Sequence, residues 1–262
     1  MKKANKKEIY ASFGIEYADG KINVPLFGWI APLLVDGNAK LGKSVWTFSM
    51  LPTARLFDLK INGEKYVIPG TCPCSCPGCY ATTGFYNMPS VVQSNAIKTI
   101  LARRFPDFVK RAIIAQIVAE NITLCRIHAS GDFFGMEYVN IWREIVKACP
   151  ACAFWTYTKN RDAENAFDDL DNINIVKSII PGHGFNFGKC GYILKVYRAL
   201  KAAGNSVYIC RCGIDKNQHC VNCKGCATND FVLFVEHSTG YKAEDDPLFP
   251  ELRAIIENQP RI

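Results

Sequence analysis

The stretch TLCRIHASGDFFGMEYVNIWREIVKACPACAFWTYT, residues 123–158, decides the fold class. It opens on the apolar run Thr123–His128, crosses the small polar turn Ala129-Ser130-Gly131-Asp132, and continues over Gly135–Cys149 with apolar residues at helical spacing. It then returns to an aromatic and β-branched run, Ala153–Thr158. Strand, crossover helix, strand is the unit of a parallel sheet, because parallel neighbours need a connection of a dozen or more residues.

The alternation persists in both directions. Toward the C-terminus the pattern predicts a helix over Arg161–Leu170, a strand over Ile173–Ile179, a helix over Gly191–Ala203, strands over Ser206–Cys210 and Phe231–His237, and a closing helix over Pro250–Glu257. Toward the N-terminus, Pro89–Arg104 and Pro106–Glu120 read as helices, each with a proline near its start. Residues 1–70 are harder to parse: Val24–Val35, Val45–Leu51 and the short Lys65–Pro69 compete to supply the first strand. With that strand the count is six, which predicts an α/β chain built as a partial (βα)6 barrel. One domain is expected over 1–262: an N-terminal extension with the first strand (1–70), the barrel core (71–209), a Cys-rich insertion (210–230), and the last strand and helix (231–262). In such folds the reactive residues lie on loops after the carboxyl ends of the strands.

Composition narrows the function. At 49% hydrophobic and 21% charged, the 262 residues are neither disordered nor fibrous. The longest apolar stretch, Val24–Val35, contains a glycine and a proline and is too short to span a bilayer, so no membrane partner is expected. The basic start MKKANKKEIY leads into no apolar segment, which predicts a cytoplasmic protein. The net charge of +7 includes four lysines within the first seven residues, a weak signature for nucleic acid.

Cysteine stands out, with 13 residues. Four cluster at Cys72, Cys74, Cys76 and Cys79, and five at Cys210, Cys212, Cys220, Cys223 and Cys226. Clustered thiols in a reducing compartment point to metal, since one short loop can wrap several thiolates around an ion or an iron–sulfur cluster. Cys125, Cys149, Cys152 and Cys190 read as small core residues. The second group closes a four-thiolate site that suits either a second [4Fe-4S] cluster or Zn, with His219 and Lys224 placed to tune it.

Choosing Cys72, Cys76 and Cys79 from the first group gives CxxxCxxC, and here the chain resembles the radical S-adenosylmethionine (SAM) superfamily. Cys74 is a surplus thiol, so the choice among Cys72, Cys74 and Cys76 stays open. The resemblance implies a barrel of radical SAM type and three thiolates on a [4Fe-4S] cluster whose open iron chelates SAM. It also implies an external electron donor, and cleavage of a carbon–sulfur bond to give a radical that abstracts hydrogen from a substrate. The superfamily's Gly-rich acidic segment after the second strand corresponds to Ser130-Gly131-Asp132, with Asp132 placed to receive the SAM ammonium. The aromatic residue usual before the third cysteine is absent; Gly78 stands there and Tyr80 follows the cysteine instead.

Thr71-Cys72-Pro73, Cys79-Tyr80-Ala81, the segment HASGDFF (128–134), FWTYTK (154–159) and the late CxxCxxC also resemble a phage-encoded family known as gene product eighty-eight, over about residues 70–230. That likeness implies architecture and metal binding more than a reaction.

Further candidates fall at strand ends. His128 and His183 lie where a substrate would sit, and Lys159, Lys177 and Glu236 are placed to meet SAM or substrate. The reading is thus a radical SAM-like enzyme whose substrate is unassigned, with a nucleotide or nucleic acid as one candidate. Two alternatives stand beside it: a non-catalytic zinc protein that binds nucleic acid, and an iron–sulfur protein that does not use SAM.

Overall fold

The computed structural model describes residues 5–37, 41–76, 79–179, 186–211, 223, 225–235 and 241–259. Helix α1 (Lys6–Ser12) is closed by a capping box, the Asn5 side chain accepting from Glu8 N while the Glu8 carboxylate accepts from Asn5 N. An antiparallel sheet of β1 (Tyr17–Ala18), β2 (Lys21–Val24) and β3 (Gly28–Ile30) follows. The apolar run Val24–Val35 is therefore divided: its first half turns back at Leu26 and Gly28, both at positive φ, and its end forms β4 (Val35–Asp36). The first strand of the main sheet is β5 (Trp46–Ser49), from the run Val45–Leu51. Lys65–Pro69 belongs instead to a hairpin of β6 (Leu56–Ile61) and β7 (Glu64–Pro69), turned at Asn62-Gly63 with both residues at positive φ.

From β5 the sheet runs in chain order. β8 (Leu124–Ser130) lies parallel to β5, β9 (Ala153–Thr158) to β8, and β10 (Ile173–Lys177) to β9, while β4 closes the outer edge antiparallel. The crossovers are α2 (Pro89–Arg104) with α3 (Pro106–Glu120), then α4 (Met136–Ala148), then α5 (Arg161–Glu164). α3 packs on α4 and α4 on α5, so these helices form one layer. The face of α4 carrying Tyr138, Val139, Trp142, Ile145 and Val146 is buried against Phe48, Ile127 and Phe154 of the sheet. α5 is one turn rather than the helix expected over Arg161–Leu170: Asn160 caps it, but Asn165, Asp168 and Asp169 follow, and such side chains favour turns over continued helix.

The last strands depart from chain order. β13 (Phe231–Val235) lies parallel to β12 (Val207–Ile209) on one side and to the short β11 (Phe187–Gly188) on the other. Lys177 N donates to Asp230 O at 2.8 Å, and Phe234 N donates to Asn186 O at 2.7 Å. The Asn186 side chain accepts from Ile179 N and donates to Val232 O. β10 and β11 are thus two pieces running beside β13, at the position a barrel in chain order would give to β12. The described residues form no closed barrel.

Parallel β12 and β13 still need a crossover, and the Cys-rich segment between them is it. Val207, Ile209, Leu233 and Val235 pack toward α6 (Cys190–Ala202) and α7 (Phe249–Asn258). The alternate residues Tyr208, Cys210, Val232 and Phe234 face the other way, onto Cys223 and Cys226. Cys223 and Cys226, the described cysteines of that segment, therefore pack on the face of the sheet opposite the helices.

Two glutamines seal main-chain groups that lack a strand partner. Gln259 accepts from Ile209 N at 2.6 Å and donates to Ile209 O at 3.2 Å, blunting the outer edge of β12. Gln116 of α3 does the same for Leu34, at 2.8 Å in both directions. Gln116→Leu is expected to cost about 2 kcal/mol, since both Leu34 groups are left buried and unpaired, and urea unfolding measures it. Among the described residues no helix is long and apolar enough to cross a membrane.

Candidate functional site

The first cysteine group hangs from the carboxyl end of the sheet. Past β5, Leu51 O accepts from both Thr71 N (3.0 Å) and Thr71 Oγ1 (2.9 Å), and Cys72 N donates to Thr53 O. Thr71 Oγ1 also accepts from Asp132 N at 3.0 Å, which ties the loop to the turn after β8. That turn is locked to β5 in its own right: Met50 N donates to Ser130 O, and Ser130 Oγ donates to Met50 O. Ser130 is buried and committed to this tie.

Gly131 makes the close approach possible. Its φ is +86°, and a Cβ there would stand 2.5 Å from Thr71 Oγ1. Gly131→Ala is expected to cost about 1–3 kcal/mol and to loosen the cysteine loop, measured as a lower unfolding temperature and faster thiol labelling of Cys72.

Asp132 is buried and accepts from three donors. Oδ1 accepts from Phe133 N (2.7 Å) and Thr158 Oγ1 (2.7 Å), and Oδ2 accepts from Lys159 N (2.8 Å), so the carboxylate joins the ends of β8 and β9. Burial pushes its pKa up to about 6, against the pull of these hydrogen bonds and of the Lys159 charge. The Cys72 thiol is pushed up to about 12 by burial, with Asp132 adding to it. Burial likewise raises Cys76, while Lys159 acts to lower it. Cys72, Cys76, Asp132 and Lys159 thus share one electrostatic neighbourhood at the strand ends. Cys74 and Cys76 bring their sulfurs to 3.9 Å.

Tyr80, next to Cys79, donates from its hydroxyl to Ala129 O at 2.6 Å and accepts from Arg126 Nη2 at 3.2 Å. Arg126 rises from β8 with its guanidinium 5.0 Å from the centre of the Tyr157 ring. Its Nε is sealed from solvent and has no hydrogen-bond partner among the described residues. Tyr157 in turn donates to Cys226 Sγ at 2.7 Å, and Tyr208 and Cys223 meet at 3.1 Å. Cys210 lies in the same cluster. Arg126, Tyr157 and Tyr208 are additions to the expected site. The signal for Arg126 lay in TLCRIH, where one charged residue interrupts an apolar strand.

His128 is placed differently from the expectation. Strand alternation would set it on the face of Arg126, but the pairing of β5 with β8 shifts register between Thr47 and Ser49, and His128 takes φ +57°. The bulge turns the ring toward the helices, among Phe48, Phe133, Tyr138 and Trp142, with Nε2 3.1 Å from the Tyr138 hydroxyl. Burial, helped by Arg126, drives its pKa down to about 3, so it is a neutral core residue. Lys159 and Lys177 stay at strand ends as expected. His183, Cys212, Cys220 and Glu236, together with His219 and Lys224, lie outside the described residues.

Among the described residues no three Cys, His, Asp or Glu side chains converge closely enough, as placed, to hold a metal ion. The donor chemistry nonetheless fits a thiophilic metal or an iron–sulfur cluster: four thiols at the strand ends, three more at Cys210, Cys223 and Cys226, and no disulfide among these seven. A half-buried guanidinium between the two groups has tyrosines and a thiol beside it, an environment that metal-bound thiolates would complete.

No curated protein and no solved structure matches the chain. One protein family does, gene product 88, over residues 32–245, a span that takes in the main sheet, both cysteine groups and Arg126. The match covers most of the sequence, and the chain belongs to the gene product 88 family.

Proposed function

We propose that this chain is a radical SAM-like iron–sulfur enzyme, with the parallel run from β5 to β10 as the wall of a partial barrel. The observation that carries the reading is the suspension of Cys72, Cys76 and Cys79 at the carboxyl ends of β5, β8 and β9, pressed onto the Ser130-Gly131-Asp132 turn. Cys72, Cys76 and Cys79 would hold a [4Fe-4S] cluster, and when bound it supplies the electron that cleaves SAM.

The chain's own residues do the positioning. Thr71 and Gly131 fix how far the cysteine loop stands from the strand ends. Asp132 holds the mouth together, and Oδ2, with a single bond to Lys159 N, keeps acceptor capacity for the SAM ammonium. Lys159 sets a positive charge beside Cys76. Cys210, Cys223 and Cys226, with Cys212 and Cys220 from the same segment, would hold the second [4Fe-4S] cluster or Zn. An external donor supplies the electron, and the substrate is a further partner, for which a nucleotide or nucleic acid is the class to try first.

The test is anaerobic purification with iron, sulfide and zinc counted per chain, then incubation with SAM and dithionite. About eight irons and release of 5′-deoxyadenosine are expected. Zinc without iron, or a brown protein that leaves SAM intact, overturns the reading.

A further inference from the structure

Cys79 and Cys226 belong to different cysteine groups, yet one continuous chain of polar contacts joins their surroundings. Tyr80 follows Cys79, and its hydroxyl accepts from Arg126 Nη2 at 3.2 Å. The same guanidinium lies 5.0 Å from the Tyr157 ring centre, and the Tyr157 hydroxyl donates to Cys226 Sγ at 2.7 Å. Tyr86 donates to the same Ala129 carbonyl as Tyr80. Arg126 Nε is buried and unpartnered among the described residues.

A half-buried guanidinium whose Nε is sealed from solvent is costly unless negative charge stands near it. Tyrosines at neutral pH supply hydrogen-bond oxygens and a ring face, but no charge. Metal-bound thiolates do supply charge, since several thiolates around one ion or cluster outweigh its positive charge. Two such centres would also repel each other, and a cation linked to both screens that repulsion.

We infer that Arg126 is a positioning residue shared by two metal centres, linked to the first through Tyr80 and to the second through Tyr157. It is the counter-charge of both and holds neither metal itself. The inference rests on reading the two cysteine groups as metal centres, and it is independent of whether the native metal is iron or zinc.

Cobalt(II) is a suitable probe, because its thiolate charge-transfer absorbance reports binding without iron, sulfide or SAM. The full-length chain is titrated in two backgrounds: Cys79→Ser, which leaves the second group intact, and Cys226→Ser, which leaves the first. Arg126→Gln is expected to weaken cobalt binding about tenfold or more in both backgrounds, and Arg126→Lys to recover part of the loss. Tyr157→Phe, which keeps the ring, is expected to weaken binding only at the second group, and Tyr80→Phe only at the first. The tyrosine variants carry the test if Arg126→Gln does not fold.

An effect of Arg126→Gln in one background alone, equal effects of Gln and Lys, or tyrosine variants that leave cobalt affinity unchanged would overturn the assignment. So would a wild-type chain that takes up no cobalt. A chain that binds cobalt as expected but purifies with zinc overturns the radical SAM reading and leaves this one standing.

Discussion

Asp132→Ala is expected to lower the unfolding free energy by about 2–4 kcal/mol at pH 7.5, read from urea denaturation. Three donors lose their acceptor at once: Phe133 N, Thr158 Oγ1 and Lys159 N. Each buried donor left unpaired costs about 1–3 kcal/mol. Part of that sum is offset, because burial already holds the Asp132 carboxyl at about 6 and its removal relieves that penalty. Asp132→Asn is expected to fall between alanine and wild type. Its carbonyl oxygen can still accept from Phe133 and Thr158, while its amide sets a donor against Lys159 N. A variant no less stable than wild type would mean that the carboxylate does not join the ends of β8 and β9. If Asp132→Asn folds and binds SAM as wild type does, the carboxylate is a structural tie and not a ligand for the ammonium.

Acid should destabilise this protein through His128. The ring is buried and neutral with its pKa driven down to about 3, whereas an unfolded histidine titrates near 6.5. Between those values the unfolded chain binds the extra proton, so the contribution is fully present above about pH 6.5 and is lost as pH falls toward 3. Asp132 acts in the opposite sense. Its raised pKa contributes stability below about pH 4 that is lost as pH rises through about 6. Comparing wild type with His128→Asn removes the Asp132 effect, which both proteins share, and asparagine tolerates the positive φ at this position. The stability difference between the two is expected to shift by about 3 kcal/mol in favour of the variant from pH 7.5 to pH 4. A difference that does not change with pH would place the ring in water.

The core of the fold was legible where periodicity is strong. β8, β9, α4 and α6 fall within two residues of their expected ends, because long apolar runs at period two or helical spacing leave little choice. The N-terminal 70 residues were not, since hairpins and short edge strands are set by positive-φ turns at Leu26 and Asn62-Gly63 more than by pattern. Placing β13 inside β12 was also hidden, as strand order is a long-range property that Asn186 and Asp230 help to set from loops.

At the site, the turn Ser130-Gly131-Asp132 at the end of β8 was legible from the strand run before it, whereas the cysteine group follows a hairpin outside the main sheet and reaches the strand ends only through Thr71. The reversal of His128 was not legible, because a bulge changes which face a side chain takes without leaving a mark in the residue pattern. Arg126 leaves a mark in the sequence as a lone cation in an apolar strand, but only the packing of Tyr80, Tyr157 and Cys226 says what surrounds it.

The inward position of β13 sets a timetable for synthesis. Every strand from β5 to β10 can pair with a neighbour already made, but β11 and β12 pair only with β13, and residues 231–235 are made after both. Until then the nascent chain carries the open parallel edge of β10 and two strands with no partner, the kind of surface that pairs with other chains. A ribosome that stalls in the Cys-rich crossover would therefore release a product prone to aggregate, although most of its sheet is complete.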